Sequence, residues 1–297
     1  MDREWSAHAN SEENLTSMTV MTPRHSSTVT VSPEQLPIWP NDLRGLPNAF
    51  ARSALFNVSN TRKGARVNLK RHKVAALQGI SIDYTGEELR QEDEDCLLQV
   101  LHLARMQEIQ SEVRFTAYAM ITELGWTRNS GSYQRLVDCL NRLNATSLAL
   151  TVTREGGAVV ENYTGSLIRS FRWRETNGDM PLREWTVKLE REIISLFGPE
   201  SYTRLDWKMR MRLSPMEKWL HSFYHTHRQP MKIAVSTLHR LSGSGIPEKE
   251  MRKFRYKLKK ALASLVEHGF FIKAHIDPAT DLVVVQRNLN HQSIVER

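Results

Sequence analysis

The segment from Pro247 to His268 constrains this chain more than any other. Its apolar residues Met251, Phe254, Leu258, Ala261, Leu262 and Leu265 recur at three- and four-residue spacings, so a helix here carries one apolar face that must be buried. The opposite face collects Lys249, Arg252, Lys253, Tyr256 and Lys260, with Arg255, Lys257 and Lys259 on its flanks, seven basic residues against three acids. Before it lies a short apolar helical stretch, Val235 to Leu241, broken at Ser242-Gly243-Ser244-Gly245, and Pro247 suits the first turn of the next helix. After it, Gly269 is a helix stop, the strand Phe270 to Ile276 follows, and a turn at Asp277 to Asp281 leads into the strand Leu282 to Val285. Helix, turn, helix and trailing hairpin form the winged-helix pattern, in which the second helix enters the major groove of duplex DNA. The plain alternative is a solvated basic helix that merely packs on a hairpin.

Charge distribution favours the first reading. The 297 residues carry a formal net charge of +8, which suits a polyanionic partner. From Lys208 to Arg297 there are 17 Lys and Arg against 7 Asp and Glu, or +10, whereas Met1 to Trp207 has 24 against 26, or −2. The basic field therefore belongs to the C-terminal module. The two cysteines, Cys96 and Cys139, lie in apolar-periodic segments without a CxxC partner, so neither a disulfide framework nor a zinc site is expected. No run approaches the roughly 20 apolar residues of a membrane span, and the start Met1-Asp2-Arg3-Glu4-Trp5 lacks an apolar signal region. A cytoplasmic chain without a cofactor is the expectation.

The remaining chain divides into an unpatterned tail, an arm and a first domain. Residues 1–35 are rich in Ser, Thr, Asn and His without a sustained period, the composition of a disordered tail. Residues 36–78 read as an ordered arm with paired apolar residues, followed by a basic cluster at Arg62, Lys63, Arg66, Lys70, Arg71, His72 and Lys73 that suits a solvated edge or a contact to DNA phosphate. Residues 79–207 read as a first winged-helix domain. Its acids Glu87, Glu88, Glu92, Asp93, Glu94 and Asp95 precede the apolar stripe Leu97, Val100, Leu101 and Ala104, where negative charge favours a helix N-terminus over a metal site.

In that domain Thr116 reads as a helix N-cap, Gly125 as a stop, and a second helix has core positions Tyr133, Leu136, Val137, Leu140 and Leu143. Its outward residues Gln134, Arg135, Asp138, Asn141 and Arg142 have the polar mixture that reads base edges or phosphates. A strand from Leu148, a turn at Glu155-Gly156-Gly157 and a return strand from Val159 repeat the helix-turn-helix-wing order. Strands at Leu167 to Arg174 and Trp185 to Leu189, and the apolar stretch Ile193 to Phe197, precede a connection that reaches about Leu213. Residues 208–297 form the second, basic winged-helix domain, whose first helix opens on the capping box Ser214-Pro215-Met216-Glu217, with Met231 to Ile233 as a strand. The fold class expected is α+β, two tandem winged-helix domains behind a disordered tail.

At Trp39-Pro40, Arg52 to Phe56, Tyr84 to Arg90, Leu124-Gly125-Trp126, Leu140 to Thr146 and Leu213-Ser214-Pro215, the chain resembles the TrfA-type plasmid replication initiators, over roughly Leu36 to Arg287. The resemblance implies paired winged-helix domains that bind direct repeats, iterons, in a plasmid origin and promote opening of adjacent AT-rich DNA. It further implies recruitment of host DnaA and the replicative helicase, an inactive homodimer, and a role in plasmid copy-number control. The family carries a segment like a sliding-clamp ligand, Gln-Leu-x-Leu-Phe; here the corresponding stretch is Gln35-Leu36-Pro37-Ile38-Trp39, which departs from it by a proline and a tryptophan.

Enzyme readings find little support in the sequence. His225-Thr226-His227 beside Tyr224 approximates the motif of DNA-nicking initiators, but alternating positions on a helix lie about 200° apart, and no phosphate-binding loop is present. A winged-helix transcriptional regulator is the second reading, since fold alone does not decide function. The DNA-binding set is thus Lys249, Arg252, Lys253, Tyr256, Lys257 and Lys260 in the second domain with Gln134, Arg135, Asn141 and Arg142 in the first.

Overall fold

The computed structural model describes residues 35–59, 65–107, 112–154, 156–173 and 184–288, and shows a mixed α and β protein. Residues 1–34 of the tail, Arg62 and Lys63 of the basic cluster, Glu155 and Arg174 lie outside the described residues. The arm contains strand β1 (Leu43–Pro47), the turn of helix α1 (Asn48–Ala51) and strand β2 (Phe56–Asn57). Its apolar residues Leu36, Trp39, Leu43, Leu46, Phe50 and Phe56 are buried, so the arm supplies core rather than lying over one. Trp39 stacks on Phe197, centroids 5.9 Å apart, and its indole N–H donates to His102 Nδ1 at 3.1 Å. The segment aligned with a clamp ligand is therefore built into the interior, with Ile38 alone of its apolar side chains exposed.

Beyond the arm come β3 (Asn68–Lys73), β4 (Ile80–Glu87), β5 (Leu89–Arg90) and helix α2 (Gln91–Ala104). Every residue of α2 except Leu103 is buried, which makes it the central helix of the first half. Strand β6 (Val113–Phe115) precedes α3 (Ala117–Glu123), where the Thr116 hydroxyl accepts from Ala119 N–H at 3.0 Å and Gly125 closes the helix at φ +67°. Helix α4 (Ser130–Asn144) buries Leu136, Val137, Leu140 and Leu143 as expected from their spacing, but also Cys139, while Tyr133 is turned outward. Strands β7 (Ser147–Thr153) and β8 (Val159–Gly165) return as an antiparallel hairpin and complete a sheet of order β3-β4-β7-β8.

The strand expected at Leu167 to Arg174 is shorter, β9 (Ser170–Arg172), and pairs with β10 (Trp185–Lys188) and through it with β6. Residues expected only to connect the modules do more. After a 3-10 helix at Arg191–Phe197, strand β11 (Tyr202–Asp206) pairs antiparallel with β1 of the arm, and α5 (Trp207–Arg210) follows directly. Backbone pairing between segments some 160 positions apart was invisible to local periodicity.

The second half begins at α6 (Pro215–His225), whose capping box is formed: Ser214 N–H donates to Glu217 Oε2 at 2.6 Å. Strand β12 (Ile233–Ala234), α7 (Val235–Leu241), a 3-10 turn at Glu248–Glu250, α8 (Met251–Glu267) and the hairpin β13 (Phe271–Ile276) and β14 (Leu282–Arg287) complete it, in sheet order β12-β14-β13. Helix α8 starts four residues later than Pro247 because the preceding turn is 3-10. Among the described residues no helix is long and apolar enough to cross a membrane.

Two apolar cores result, one drawn from Leu36 to Trp207 and one from Met209 to Val283. A polar seam joins them. Arg210, with no exposed surface, donates to Asp95 Oδ1 and Glu94 Oε2, both at 2.7 Å, to Ser222 Oγ at 2.8 Å and to Gln91 Oε1 at 3.2 Å. Lys218 on α6 holds the other oxygen of Asp95 at 2.5 Å. Burial pushes Glu94 above the usual carboxylate range against the pull of Arg210; Asp95 is buried as deeply, but Lys218 and Arg210 together bring it below its ordinary value. Around this seam Arg52 donates to the Thr226 hydroxyl at 2.9 Å and carbonyl at 2.6 Å, and Trp219 Nε1–H to Ser53 O at 3.2 Å.

Truncating Arg210 leaves two buried carboxylates short of a partner, so Arg210→Ala is expected to lower unfolding free energy by on the order of 3–5 kcal/mol. Urea denaturation followed by tryptophan fluorescence measures it, and a loss below about 1 kcal/mol, the scale of an exposed pair, would contradict the role assigned to the seam. A pH effect comes from His102, which burial, with Arg44 and Arg105 nearby, holds down to about 3 from an ordinary 6.5. A depressed pKa means the folded state resists protonation, so this contribution is full above pH 6.5 and declines as pH falls from there toward 3. Stability of His102→Gln is expected to fall less steeply than that of the parent chain between pH 7 and 5; parallel profiles would refute it.

Candidate nucleic-acid interface

The hydrophobic pattern of α8 sets its orientation. Phe254, Leu258, Ala261, Leu262 and Leu265 are buried against α6, α7 and the hairpin, which forces the intervening residues outward. Arg252, Lys253, Tyr256, Lys257, Lys259 and Lys260 are all exposed, and Lys249 on the preceding 3-10 turn extends the same surface. Spacings of four place Arg252, Tyr256 and Lys260 in one row and Lys249, Lys253 and Lys257 in the next. Lys260 Nζ lies 5.3 Å from the Tyr256 ring centroid, so the one aromatic side chain on this face stands within the cationic field. Lys253 meets Glu250 at 2.6 Å, an exposed pair that contributes at most about 1 kcal/mol.

Arg255 behaves differently. Its Nε and Nη2 donate to the two oxygens of Asp281 at 2.9 and 2.7 Å, tying the helix to the hairpin turn, where Asp281 itself sits at φ +54°. That two-point contact holds the Asp281 carboxyl below its usual range. At the tip, Asp277 accepts from Ala279 N–H at 2.9 Å and Thr280 Oγ1 at 2.8 Å, so the wing is shaped by its own side chains.

The four residues expected on α4 are not brought together in this way. Gln134 and Asn141 are exposed, Gln134 bonding Asp138 at 2.8 Å along the helix. Arg135 lies 3.9 Å from the Trp126 ring centroid and donates to Glu92 Oε2 at 2.6 Å. Arg142 corrects the reading most: its guanidinium binds Asp93 Oδ1 at 2.8 Å and Cys139 Sγ at 3.2 Å, with its side chain only 11 % exposed. The cause is the acidic first turn of α2, which lies against α4 and draws Arg66, Arg135 and Arg142 inward. Arg66 meets Glu92 at 2.5 Å and Asp93 at 2.8 Å. Thus the acids at positions 92–95 do more than favour a helix N-terminus; they gather cations from four other segments. Lys249 to Lys260 share one exposed basic surface, and the α4 residues divide between surface and interior.

Among the described residues, Glu92, Asp93 and Cys139 are the group whose ligand atoms converge closely enough to share a metal ion. Arg66, Arg135 and Arg142 already neutralise those carboxylates, and burial pushes the Cys139 thiol well up, so the donor set does not suit a cation. The histidines near Tyr224 are packing groups: His225 stacks on Phe270 with centroids 5.9 Å apart, and His227 Nδ1 bonds Phe223 O at 2.8 Å. Tyr224 is buried, which pushes its phenol well above its ordinary range.

Comparison with known proteins is consistent with this arrangement. The sequence model of a family described as TrfA protein matches residues 4–287. The plasmid replication initiator protein TrfA of Escherichia coli is 30 % identical over 239 residues, which cover 78 % of this chain and 60 % of that protein, so the chain spans less than two thirds of its relative. A crystal structure of RctB domains 2 and 3 superposes with a TM-score of 0.54 at 11 % identity, covering 80 % of this chain and 98 % of that one. A selenomethionine derivative of the same RctB domains gives 0.52 at 12 % identity, covering 82 % and 98 %. At such identities the likeness to RctB is one of fold. The match across nearly the whole length, and the identity to the Escherichia coli protein, settle the matter of kinship: the chain belongs to the TrfA family.

Proposed function

We propose that this chain is a plasmid replication initiator, built as two tandem winged-helix modules that bind iteron repeats in duplex origin DNA. The observation that carries the reading is the outward row of Lys249, Arg252, Lys253, Tyr256, Lys257 and Lys260 on a helix held in helix-turn-helix geometry ahead of a hairpin. Family membership supports the rest: opening of adjacent AT-rich DNA, recruitment of host DnaA and the replicative helicase in the bacterial cytoplasm, and an inactive homodimer that limits copy number. Self-association falls to the first half, whose charge is near balance and so avoids the repulsion that +10 imposes on the second. The role is one of binding and assembly, without nicking or nucleotide hydrolysis. Clamp engagement through Gln35 to Trp39 has little support, since docking elsewhere would unpack Trp39 from Phe197 and His102.

Binding and stability should separate by face. Arg252→Ala and Lys257→Ala are expected to leave the melting temperature nearly unchanged and weaken DNA binding. A base-reading Arg loses roughly 1–3 kcal/mol of discrimination at one position, whereas a phosphate-contacting Lys weakens all sequences alike and lowers the salt slope by about one unit. Phe254→Ala is expected to cost on the order of 3–5 kcal/mol of stability, and Arg142→Ala to act likewise on the fold, not on sequence preference. Titration of each variant against the direct repeat and a scrambled duplex at several salt concentrations provides the measurement. Unchanged affinity in Arg252→Ala and Lys257→Ala, with the fold intact, would show that α8 does not face DNA. An inverted repeat over a promoter as the preferred target, in place of tandem direct repeats beside an AT-rich tract, would favour a transcriptional regulator.

A further inference from the structure

The first half has spent its α4 arginines internally, yet it retains a group of cations with no internal use. Strand β3 forms one edge of the β3-β4-β7-β8 sheet, and Lys70, Arg71, His72 and Lys73 on it are all exposed. None of the four meets a carboxylate among the described residues, in contrast with Arg66 just before them, which meets three. The strand is also shaped locally. Its register with β4 shifts between Leu69 and His72, Arg71 takes φ +46°, and Arg71 N–H donates to Thr85 Oγ1 at 2.9 Å. Such a bulge bends an edge and re-aims its side chains.

The position of this edge relative to α8 is set by the seam between the halves. The turn of the helix-turn-helix lies on the arm: a Cβ on Gly243 would stand 2.7 Å from Asn57 Cβ and 3.2 Å from Ala54 Cβ, and Val58 N–H donates to Ser242 O at 3.0 Å. One groove of about 270 Å³ is then lined by Leu69 and His72 of β3 together with Arg240 and Gly243 of the helix-turn-helix. The exposed Arg240 of α7 and the exposed residues of β3 therefore border one groove beside the turn that precedes α8.

We propose that the bulged edge of β3 is a phosphate-binding rail, which holds the DNA backbone next to the segment that α8 occupies and brings the first half onto the same duplex. Exposed cations on a strand and amide groups of an unpaired edge suit a backbone of regularly spaced phosphates, and they carry no base preference. Positive charge on an edge strand also discourages edge-to-edge association of sheets, so the test must separate the two roles. The inference rests on DNA binding by α8, and its experiment distinguishes the failure of either.

The full chain carrying Lys70→Gln and Arg71→Asn is titrated against repeat and scrambled duplexes over a range of salt, beside Arg252→Ala; asparagine is chosen because it tolerates a positive φ. The expected result is weaker binding of both duplexes by the same factor, with the slope of log affinity against log salt reduced by about 0.9 for each lost phosphate contact. The footprint should shorten on one side of the repeat, and sedimentation should show an unchanged oligomeric state. Parent-like affinity and slope in the β3 variant, with Arg252→Ala impaired, overturns the rail alone. So does a β3 variant that only self-associates. Parent-like binding in both overturns the reading of α8 as well.

Discussion

The rest of the structure depends on the buried guanidinium of Arg210. It stands between two apolar cores and bonds Gln91, Glu94 and Asp95 on the central helix of the first half and Ser222 on the first helix of the second. Burying such a group against two carboxylates is a poor source of net stability, because desolvation offsets most of the attraction. What it contributes is direction: each hydrogen bond has one acceptor in one place, so apolar surfaces that tolerate sliding are held in one register. With the seam in place, the helix-turn-helix turn reaches the arm and Gly243 fits where a side chain would clash with Asn57.

The same logic divides the basic residues of the chain into two populations. In the first half Arg44, Arg66, Arg90, Arg105 and Arg142 are largely or fully buried. Arg44 bonds Gln99 at 2.7 Å and lies 4.6 Å from the Trp207 ring centroid, Arg66 and Arg142 share Asp93, and Arg105 donates to Trp39 O at 2.9 Å. Their charges serve the interior: acids of positions 87–93 meet Arg66, Arg90 and Arg142, Glu123 meets Arg44, and Arg105 is held by carbonyls and Asn41. In the second half α8 turns its cations to solvent, apart from Arg255, and among the described residues no comparable acidic cluster opposes them. Residues 35–207, with 22 Lys and Arg against 21 Asp and Glu, are thus close to the balance an internal electrostatic framework requires, whereas residues 208–297 carry +10 as an external field.

Local periodicity determined much of the fold. The apolar stripes of α4 and α8, the capping box at Ser214, the Thr116 cap, the breaks at Gly125 and Gly269 and the β7-β8 and β13-β14 hairpins were legible because each depends on residues within a few positions of one another. The basic face of α8 was legible for the same reason: burying Phe254, Leu258 and Leu265 leaves Arg252, Tyr256 and Lys260 nowhere to go but out.

Only the tertiary structure decided what depends on distant partners. Tyr133 shares the spacing of a core residue but meets no core, and Cys139 takes the buried place because α2 lies on that side of α4. Arg142 has the composition of a DNA contact, yet Asp93, 49 positions away, claims it. The stretch after Gly198 looked like a connection until β11 found β1, and the departure of Gln35 to Trp39 from the clamp-ligand pattern acquires a physical reason only where Phe197 and His102 enclose the tryptophan. A sequence records which side chains are available for burial and charge pairing; which partner each one meets is set by the packing of helices and strands that lie far apart along the chain.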